Sequence, residues 1–225
     1  MDKTDKPHVL MISEITADGK LTLGKGISSK LLMRHMSEEA EIMLHEVRAE
    51  YDAIMVGSST IRIDNSFLTV RKVSGKNPIR IIPNSLADLP VDSNVFDVAP
   101  AKTILAVSEM APLGRVAAFK SKGVDVVVCG KDKVDFVQLM RVLFDEYGIC
   151  KLIIEGGPTL NWYMLQNKLV DEIRLIHMPF IVGGSDTPSL VGGMPIRSEN
   201  DMIRLNLKGT KMYGTNLVTE YEVLY

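Results

Sequence analysis

The sequence has few of the residues that build metal centres and disulfide frameworks. Its 225 residues include only two cysteines, Cys129 and Cys150, and four histidines, and neither type shows the spacing of a metal or redox motif. We therefore expect no metal site, a buried pair of free thiols and a reducing, cytoplasmic setting. No stretch approaches about 18 uninterrupted apolar residues, and no signal-peptide pattern follows the polar N-terminus, so a soluble protein is predicted.

An excess of charge of one sign is also missing. The formal net charge is −2 at pH 7, which gives no broad attraction for nucleic acid or for an anionic membrane, although a local basic pocket can exist within this balance. No linker, repeat or low-complexity stretch divides the chain. With 46% hydrophobic residues, the chain can bury a sizeable core, and one domain spanning residues 1–225 is expected.

The sequence does contain a regular alternation of short apolar runs and amphipathic segments. Helices are predicted at residues 37–51, 110–122, 134–147 and 159–167. In the third of these, Phe136, Met140, Phe144 and Tyr147 form a stripe that should face a sheet. Strands are predicted at residues 8–17, 52–57, 78–82, 102–107, 123–129, 151–155, 170–182, 202–214 and 215–225. This order predicts an α/β fold, a mixed sheet flanked by helices with an antiparallel edge at the C-terminus.

Three predicted strand ends combine small residues with groups that carry charge or form hydrogen bonds. They are residues 17–20 (ADGK), 57–65 (GSSTIRIDN) and 155–159 (EGGPT). Ligands bind outside the carboxyl ends of the strands in such sheets, and glycines before a helix N-terminus suit a phosphate. A plain turn with proline at the first helical position explains residues 155–159 equally well, and the glycine spacing of a Rossmann motif is missing.

Four segments taken together resemble the pyrimidine reductases of riboflavin biosynthesis. They are ITADGKL, VRAEYDAIMVGSSTIRIDNSFLTVR, NPIRII and LIIEGGPTLNWYMLQNKLVDEIRL, and the likeness runs from about residue 7 to the C-terminal strands. The resemblance implies a dihydrofolate-reductase-like fold, NADPH as hydride donor and a homodimer. It also implies reduction of the ribosylamino group of 2,5-diamino-6-ribosylamino-4(3H)-pyrimidinone 5′-phosphate, or of its deaminated form, to a ribitylamino group.

The same resemblance implies roles for individual residues. Lys20 and Glu155 are expected to carry the chemistry, by donating a proton or by favouring the iminium form of the opened sugar. Substrate contacts are expected from Ser28, Arg48, Leu68, Arg71 and Glu155, with the arginines on the 5′-phosphate. Cofactor contacts are expected from Gly57, Thr60, Asp64, Ile82, Pro83, Asn84, Ser85, Gly156, Gly157, Pro158 and Thr159.

Several alternatives remain open at this point. Pro83 lacks a backbone donor, and Asp64 could close an Asx-turn instead of contacting the cofactor. Arg62, Arg80 or Lys131 could pair with the 2′-phosphate of NADPH. Another reductase of the same fold is the second candidate, and a catalytically inactive nucleotide-binding protein is the third, although the presence of Lys20 and Glu155 disfavours it.

Overall fold

The computed structural model describes residues 5–225 and contains one sheet of nine strands. The strands lie in the order β5-β4-β3-β2-β6-β1-β7-β9-β8. Strands β1 to β7 run parallel to one another, and β9 and β8 continue the sheet as an antiparallel hairpin beside β7. Their bounds are β1 His8–Thr16, β2 Ala53–Met55, β3 Ile79–Pro83, β4 Thr103–Val107, β5 Asp125–Val128, β6 Lys151–Ile154, β7 Glu172–Met178, β8 Arg204–Tyr213 and β9 Asn216–Leu224.

Helices cover both faces of this sheet because alternate residues of the buried strands point to opposite sides. On one face, Met11, Met55 and Ile154 pack with the residues of α5 and α6. On the other face, α2 packs over β1 and β6, whereas α3 and α4 pack over β2, β3 and β4. The helix bounds are α1 Lys30–Met33, α2 Glu38–Glu50, α3 Ser58–Asp64, α4 Leu113–Ser121, α5 Phe136–Asp145 and α6 Pro158–Gln166. None of the helices within residues 5–225 combines the length and the apolar character that crossing a membrane demands.

The predicted fold class, with its mixed sheet and antiparallel C-terminal edge, is confirmed, but several local predictions were wrong. Helix α3 was not predicted, because its seven residues are too few to show a helical period; Asn65 ends it in a left-handed conformation with φ 42°. The strand predicted at residues 170–182 ends at Met178. Of the two free thiols, Cys129 is buried and Cys150 is exposed.

The buried face of α5 also differs from the predicted stripe. Met140 is fully buried, but it is joined in the core by Leu139 and Leu143, whereas Phe136 and Phe144 are only partly buried. Tyr147 is likewise partly buried. The leucines lie on the helix face that meets the sheet, and Phe136 is turned toward Tyr163, where the two rings stack at a centroid distance of 6.1 Å.

Arg80, one of the three cations considered for the 2′-phosphate, is fully buried and cannot contact a ligand. Its guanidinium donates hydrogen bonds to the backbone oxygens of Phe67, Asp97 and Ala101. Burial lowers the pKa of Arg80 to about 10, so the side chain stays charged at neutral pH. Arg80 therefore holds together the two segments that flank β3, at residues 67 and 97–101.

Replacing Arg80 with Met should lower the free energy of unfolding by about 2 to 4 kcal/mol, because the hydrogen bonds of a fully buried guanidinium to three backbone oxygens are lost. Urea denaturation at neutral pH measures this change. Lys102→Met is the control, since Lys102 forms an exposed ion pair with Asp125 at 2.8 Å, and its loss should cost less than about 1 kcal/mol. Equal effects of the two substitutions would contradict the structural role of Arg80.

Candidate active site

A cavity of about 1090 Å³ opens at the carboxyl ends of β1, β2, β3 and β6. Its floor is formed by residues of these strand ends, and residues 21–29 and 185–193 form its walls. Sites for a single small molecule usually measure about 300–1,000 Å³, so this cavity has room for two ligands beside each other. The sequence prediction placed the site at these strand ends.

Most of the predicted cofactor contacts line this cavity. Ile82 does not, because its side chain is fully buried in the hydrophobic core on the α3 and α4 face of the sheet. Leu68, predicted as a substrate contact, is buried in the same core. Ser29 lines the cavity in place of the predicted Ser28. The predicted residues that do line it are Gly57, Thr60, Asp64, Pro83, Asn84, Ser85, Glu155, Gly156, Gly157, Pro158 and Thr159.

The two glycine turns at the ends of β2 and β6 lie against each other. The Gly57 amide donates to the Gly156 oxygen at 2.8 Å. Gly156 has a φ of 84°, which favours glycine, and a Cβ atom on Gly157 would lie 3.2 Å from Thr60 Oγ1. Pro158 is the first residue of α6, and the amides of the first helical turn have no partner within the helix. These turns therefore bring bare backbone and the positive end of α6 to the cavity, as a phosphate requires.

Glu155 and Arg48 form a buried ion pair beside the glycine turns. Arg48 Nε donates to Glu155 Oε1 and Nη2 donates to Oε2, both at 2.6 Å. The two side chains are only 6% and 11% exposed. Burial lowers the pKa of Arg48, but the charge and hydrogen bonds of Glu155 more than reverse this effect, and the net shift is upward. Since the guanidinium fork already binds a carboxylate, Arg48 does not offer a phosphate the free fork that the sequence suggested.

Of the two arginines predicted to bind the 5′-phosphate, Arg71 is the one with free hydrogen-bond donors. Its side chain is exposed, Nη1 donates only to the backbone oxygen and the hydroxyl of Thr69, and no ion pair among residues 5–225 includes it. The Arg71 amide donates to His45 Nδ1 at 3.1 Å. Burial, with the charges of Arg48 and Arg71, lowers the pKa of His45 to about 4, so this ring is neutral at neutral pH and accepts that bond. Arg71 does not line the cavity, but its charge interacts with that of Glu155, which does, so its free donors can bind an anion nearby.

The predicted catalytic residue Lys20 does not line the cavity and instead contacts the wall formed by residues 185–193. Its Nζ is 3.5 Å from the Thr187 oxygen, and its backbone forms a bridge with Ser189. The acid in the same turn, Asp18, accepts hydrogen bonds from the Thr16 hydroxyl and from the amides of residues 182 and 183. The bonds from Thr16 and Gly183 lower the pKa of Asp18 to about 2. Asp18 thus attaches the ADGK turn to the segment that follows β7.

Several residues that line the cavity were not predicted from the sequence. They include Ser13 and Glu14 on β1, Ser29, Lys133 and the wall at residues 185–193. Burial, followed by the charge of Glu155, raises the pKa of Glu14 to about 7. A signal for Glu14 was present, because it is the one charged residue inside an otherwise buried strand. No group of three or more His, Cys, Asp or Glu side chains within residues 5–225 is arranged to hold a metal ion.

Replacing Arg48 with Met should lower the free energy of unfolding by about 3 to 5 kcal/mol, because Glu155 then keeps a charge without its buried partner. The double substitution Arg48→Met with Glu155→Gln should recover a large part of this loss. Urea denaturation at neutral pH measures both. Arg71→Met is the matched control, with an expected loss below about 1 kcal/mol. If the loss in the double variant equals the sum of the losses in Arg48→Met and Glu155→Gln, each measured alone, Arg48 and Glu155 are not energetically coupled.

Solved structures with a similar backbone confirm the dihydrofolate-reductase-like fold. Acinetobacter baumannii RibD, form 2, superposes with a TM-score of 0.81 at 19% identity, over 98% of this chain and 59% of that chain. The Saccharomyces cerevisia riboflavin biosynthesis reductase Rib7 superposes with a TM-score of 0.73 at 22% identity, over 100% of this chain and 93% of that one.

Sequence comparison gives relatives over nearly the whole length. A 2,5-diamino-6-ribosylamino-4(3H)-pyrimidinone 5′-phosphate reductase of Aquifex aeolicus is 47% identical, with 98% of both chains covered. The Methanothermobacter thermautotrophicus protein of the same name is 42% identical, over 97% of this chain and 99% of that one. The family model described as the RibD C-terminal domain matches residues 7–219. The chain therefore belongs to the RibD C-terminal domain family.

Proposed function

We propose that this enzyme reduces the ribosylamino group of 2,5-diamino-6-ribosylamino-4(3H)-pyrimidinone 5′-phosphate to a ribitylamino group, with NADPH as the reductant, in riboflavin biosynthesis. The observation that carries the proposal is a single cavity that joins a phosphate-binding helix end to a carboxylate held by an arginine. Two relatives of the same length that bear this name support it. The deaminated pyrimidine is the alternative substrate.

The cofactor occupies the side of the cavity formed by the glycine turns. The amides at the start of α6 and the bare backbone of Gly57, Gly156 and Gly157 bind its phosphates. Thr60, Asp64, Asn84 and Ser85 offer hydrogen-bonding groups along the same side. When bound there, NADPH supplies the hydride. The protein positions this donor and excludes water from it.

The substrate occupies the side next to Glu155; Arg71 does not line the cavity, but its charge interacts with that of Glu155. Each Glu155 oxygen already accepts one bond from Arg48 and still has lone-pair capacity for the pyrimidine amino groups. Arg71, with its free donors, binds the 5′-phosphate, and Arg48 acts through Glu155 by fixing the carboxylate. Lys20 does not line the cavity, and its Nζ lies 3.5 Å from the Thr187 oxygen, so we assign Lys20 no contact with the ribose.

The antiparallel hairpin supports the proposal of a homodimer. Leu205 and Leu207 on β8 are 42% and 55% exposed, and Met212 near the end of the same strand is 58% exposed. Strand β8 is an edge of the sheet, so this apolar surface would otherwise meet water. Both cysteines are free, which agrees with the proposed cytoplasmic setting.

We assign the recognition of the 2′-phosphate to Lys133. Of the three cations considered from the sequence, Arg80 is buried, Arg62 pairs with Asp88 at 2.5 Å, and Lys131 does not line the cavity. Lys133 does line it and is exposed. It lies beside the end of β3, because the amide of the next residue, Val134, donates to Ser85 Oγ at 3.0 Å.

Lys133→Met should raise the KM for NADPH about tenfold, because a charge-assisted hydrogen bond worth about 1.5–3 kcal/mol is removed. The KM for NADH, which has no 2′-phosphate, should hardly change. Steady-state kinetics with each cofactor measure this difference, and Lys131→Met is the matched control with no expected effect. Equal losses with NADPH and NADH would reject Lys133 as the residue that recognises the 2′-phosphate.

The function itself is tested by a spectrophotometric assay of NADPH oxidation. We expect turnover with the diamino ribosylamino 5′-phosphate, and a comparison with the deaminated compound decides between the two substrates. Dihydrofolate serves as the control for another reductase of this fold. Oxidation with dihydrofolate alone would reject the proposal, and NADPH binding without oxidation of any substrate would indicate a nucleotide-binding protein.

A further inference from the structure

Glu14 is an acidic side chain in the cavity that has no cationic partner. It lies on β1, where its neighbours Ser13 and Ile15 are buried, while Glu14 itself is partly buried and lines the cavity. The ion pairs among residues 5–225 do not include it. A carboxyl group in this position is exposed to a bound ligand but is not neutralised by the protein.

The other acids at this end of the cavity are already engaged. Both Glu155 oxygens accept bonds from Arg48, and Asp64 Oδ2 accepts a bond from the Ser29 hydroxyl at 2.8 Å. Asp64 is engaged through this one oxygen, since its Oδ1 has no hydrogen-bond partner among residues 5–225. Lys20, the other predicted catalytic residue, does not line the cavity. Of Glu14, Asp64 and Glu155, Glu14 is therefore the acid whose carboxyl group receives no hydrogen bond from another side chain, and it is available for proton transfer.

The surroundings of Glu14 also favour its protonated form. Burial has the largest effect on its pKa, and the nearby charge of Glu155 at the end of β6 acts in the same direction. A hydrogen bond with its own backbone and the charge of Arg48 on α2 oppose the shift, and Asp64 at the end of α3 adds to it. The net result is a pKa of about 7, so about half of the molecules carry the proton at neutral pH.

The reaction needs such a proton, and this step rests on the proposed function. When the cyclic glycosylamine opens, the bond between C1′ and the ring oxygen breaks, and the nitrogen lone pair forms the C=N bond. The ring oxygen keeps the bonding electrons and must take a proton to become the 4′-hydroxyl. Hydride then adds to C1′, and the C=N electrons return to nitrogen. Each substrate molecule therefore takes up one hydride and one proton in the complete reaction.

We propose that Glu14 is the proton donor for this ring opening, held in the cavity next to Glu155 and without a counter-ion. The carboxyl group gives its proton to the ring oxygen as the C1′ bond breaks. The negative charge that remains on Glu14 then lies close to the iminium group and stabilises it until hydride arrives. Glu14 is reprotonated from solvent before the next turnover.

Glu14→Gln tests this role, because the amide keeps the shape of the side chain but cannot donate an acidic proton. Near pH 6, kcat should fall about 100-fold, within the usual range for loss of a general acid, while the KM for NADPH stays the same. The pH profile should also change. Wild-type kcat should decrease about tenfold per unit above about pH 7, whereas the variant should show no such decrease. Glu172→Gln on β7 is the control, since Glu172 is half-exposed and pairs with His8 outside the cavity.

Thermal unfolding gives a second readout that does not depend on activity. The folded-state pKa of Glu14 is raised from its ordinary value of 4.5 to about 7, so its contribution to stability is complete below pH 4.5 and is lost as the pH rises to about 7. The Tm of Glu14→Gln should therefore rise relative to wild type across this window and stay higher at about pH 8, and Glu172→Gln should show no such trend.

The possible outcomes separate this inference from the proposed function. If the wild-type enzyme reduces the ribosylamino phosphate and Glu14→Gln keeps its kcat and pH profile, Glu14 is not the donor and the reductase function stands. If the wild-type enzyme reduces neither pyrimidine substrate, the proposed function fails and the role of Glu14 fails with it. A Tm difference that does not vary with pH would also overturn the inference, because Glu14 would then not hold a proton near neutrality.

Discussion

The ion pair between Arg48 and Glu155 is the interaction on which the site depends. It joins helix α2 to the end of β6 across one face of the sheet, and it is almost completely removed from water. The charge of Glu155 is one cause of the raised pKa of Glu14, and the charge of Arg48 is one cause of the lowered pKa of His45. Burial is the larger cause of both shifts, and this single buried pair adds to them while it fixes the position of a carboxylate in the cavity.

The fold could be predicted from the sequence because the parallel strands are short apolar runs, the two C-terminal strands alternate polar and apolar residues, and helical segments separate the runs. The glycine turns could also be predicted, since a double glycine after a strand can be recognised in the sequence itself. Contacts between segments that are far apart in the sequence could not be predicted. Nothing in the sequence indicates that Arg48 binds Glu155, or that Arg80 binds three carbonyl groups instead of a ligand, because both results depend on packing across the sheet.

The errors at Ile82 and Leu68 have a similar cause. A resemblance indicates which segments approach a ligand, but the alternation of side chains along the chain decides which individual residues face it. Pro83 and Asn84 line the cavity, whereas Ile82 points into the core one position earlier. The wall at residues 185–193 has neither helix nor strand, so no periodic signal could place it.

The position of β1 in the sheet has a consequence for how the chain folds during synthesis. The first strand of the chain lies between β6 and β7, where Met11 pairs with both Ile154 and Ile173. β1 is therefore synthesised long before β6 and β7, and it stays unpaired until most of the chain has been made. Such non-local pairing raises the contact order and slows folding. The cavity forms only when β1 is inserted, so a partly synthesised chain has no binding site.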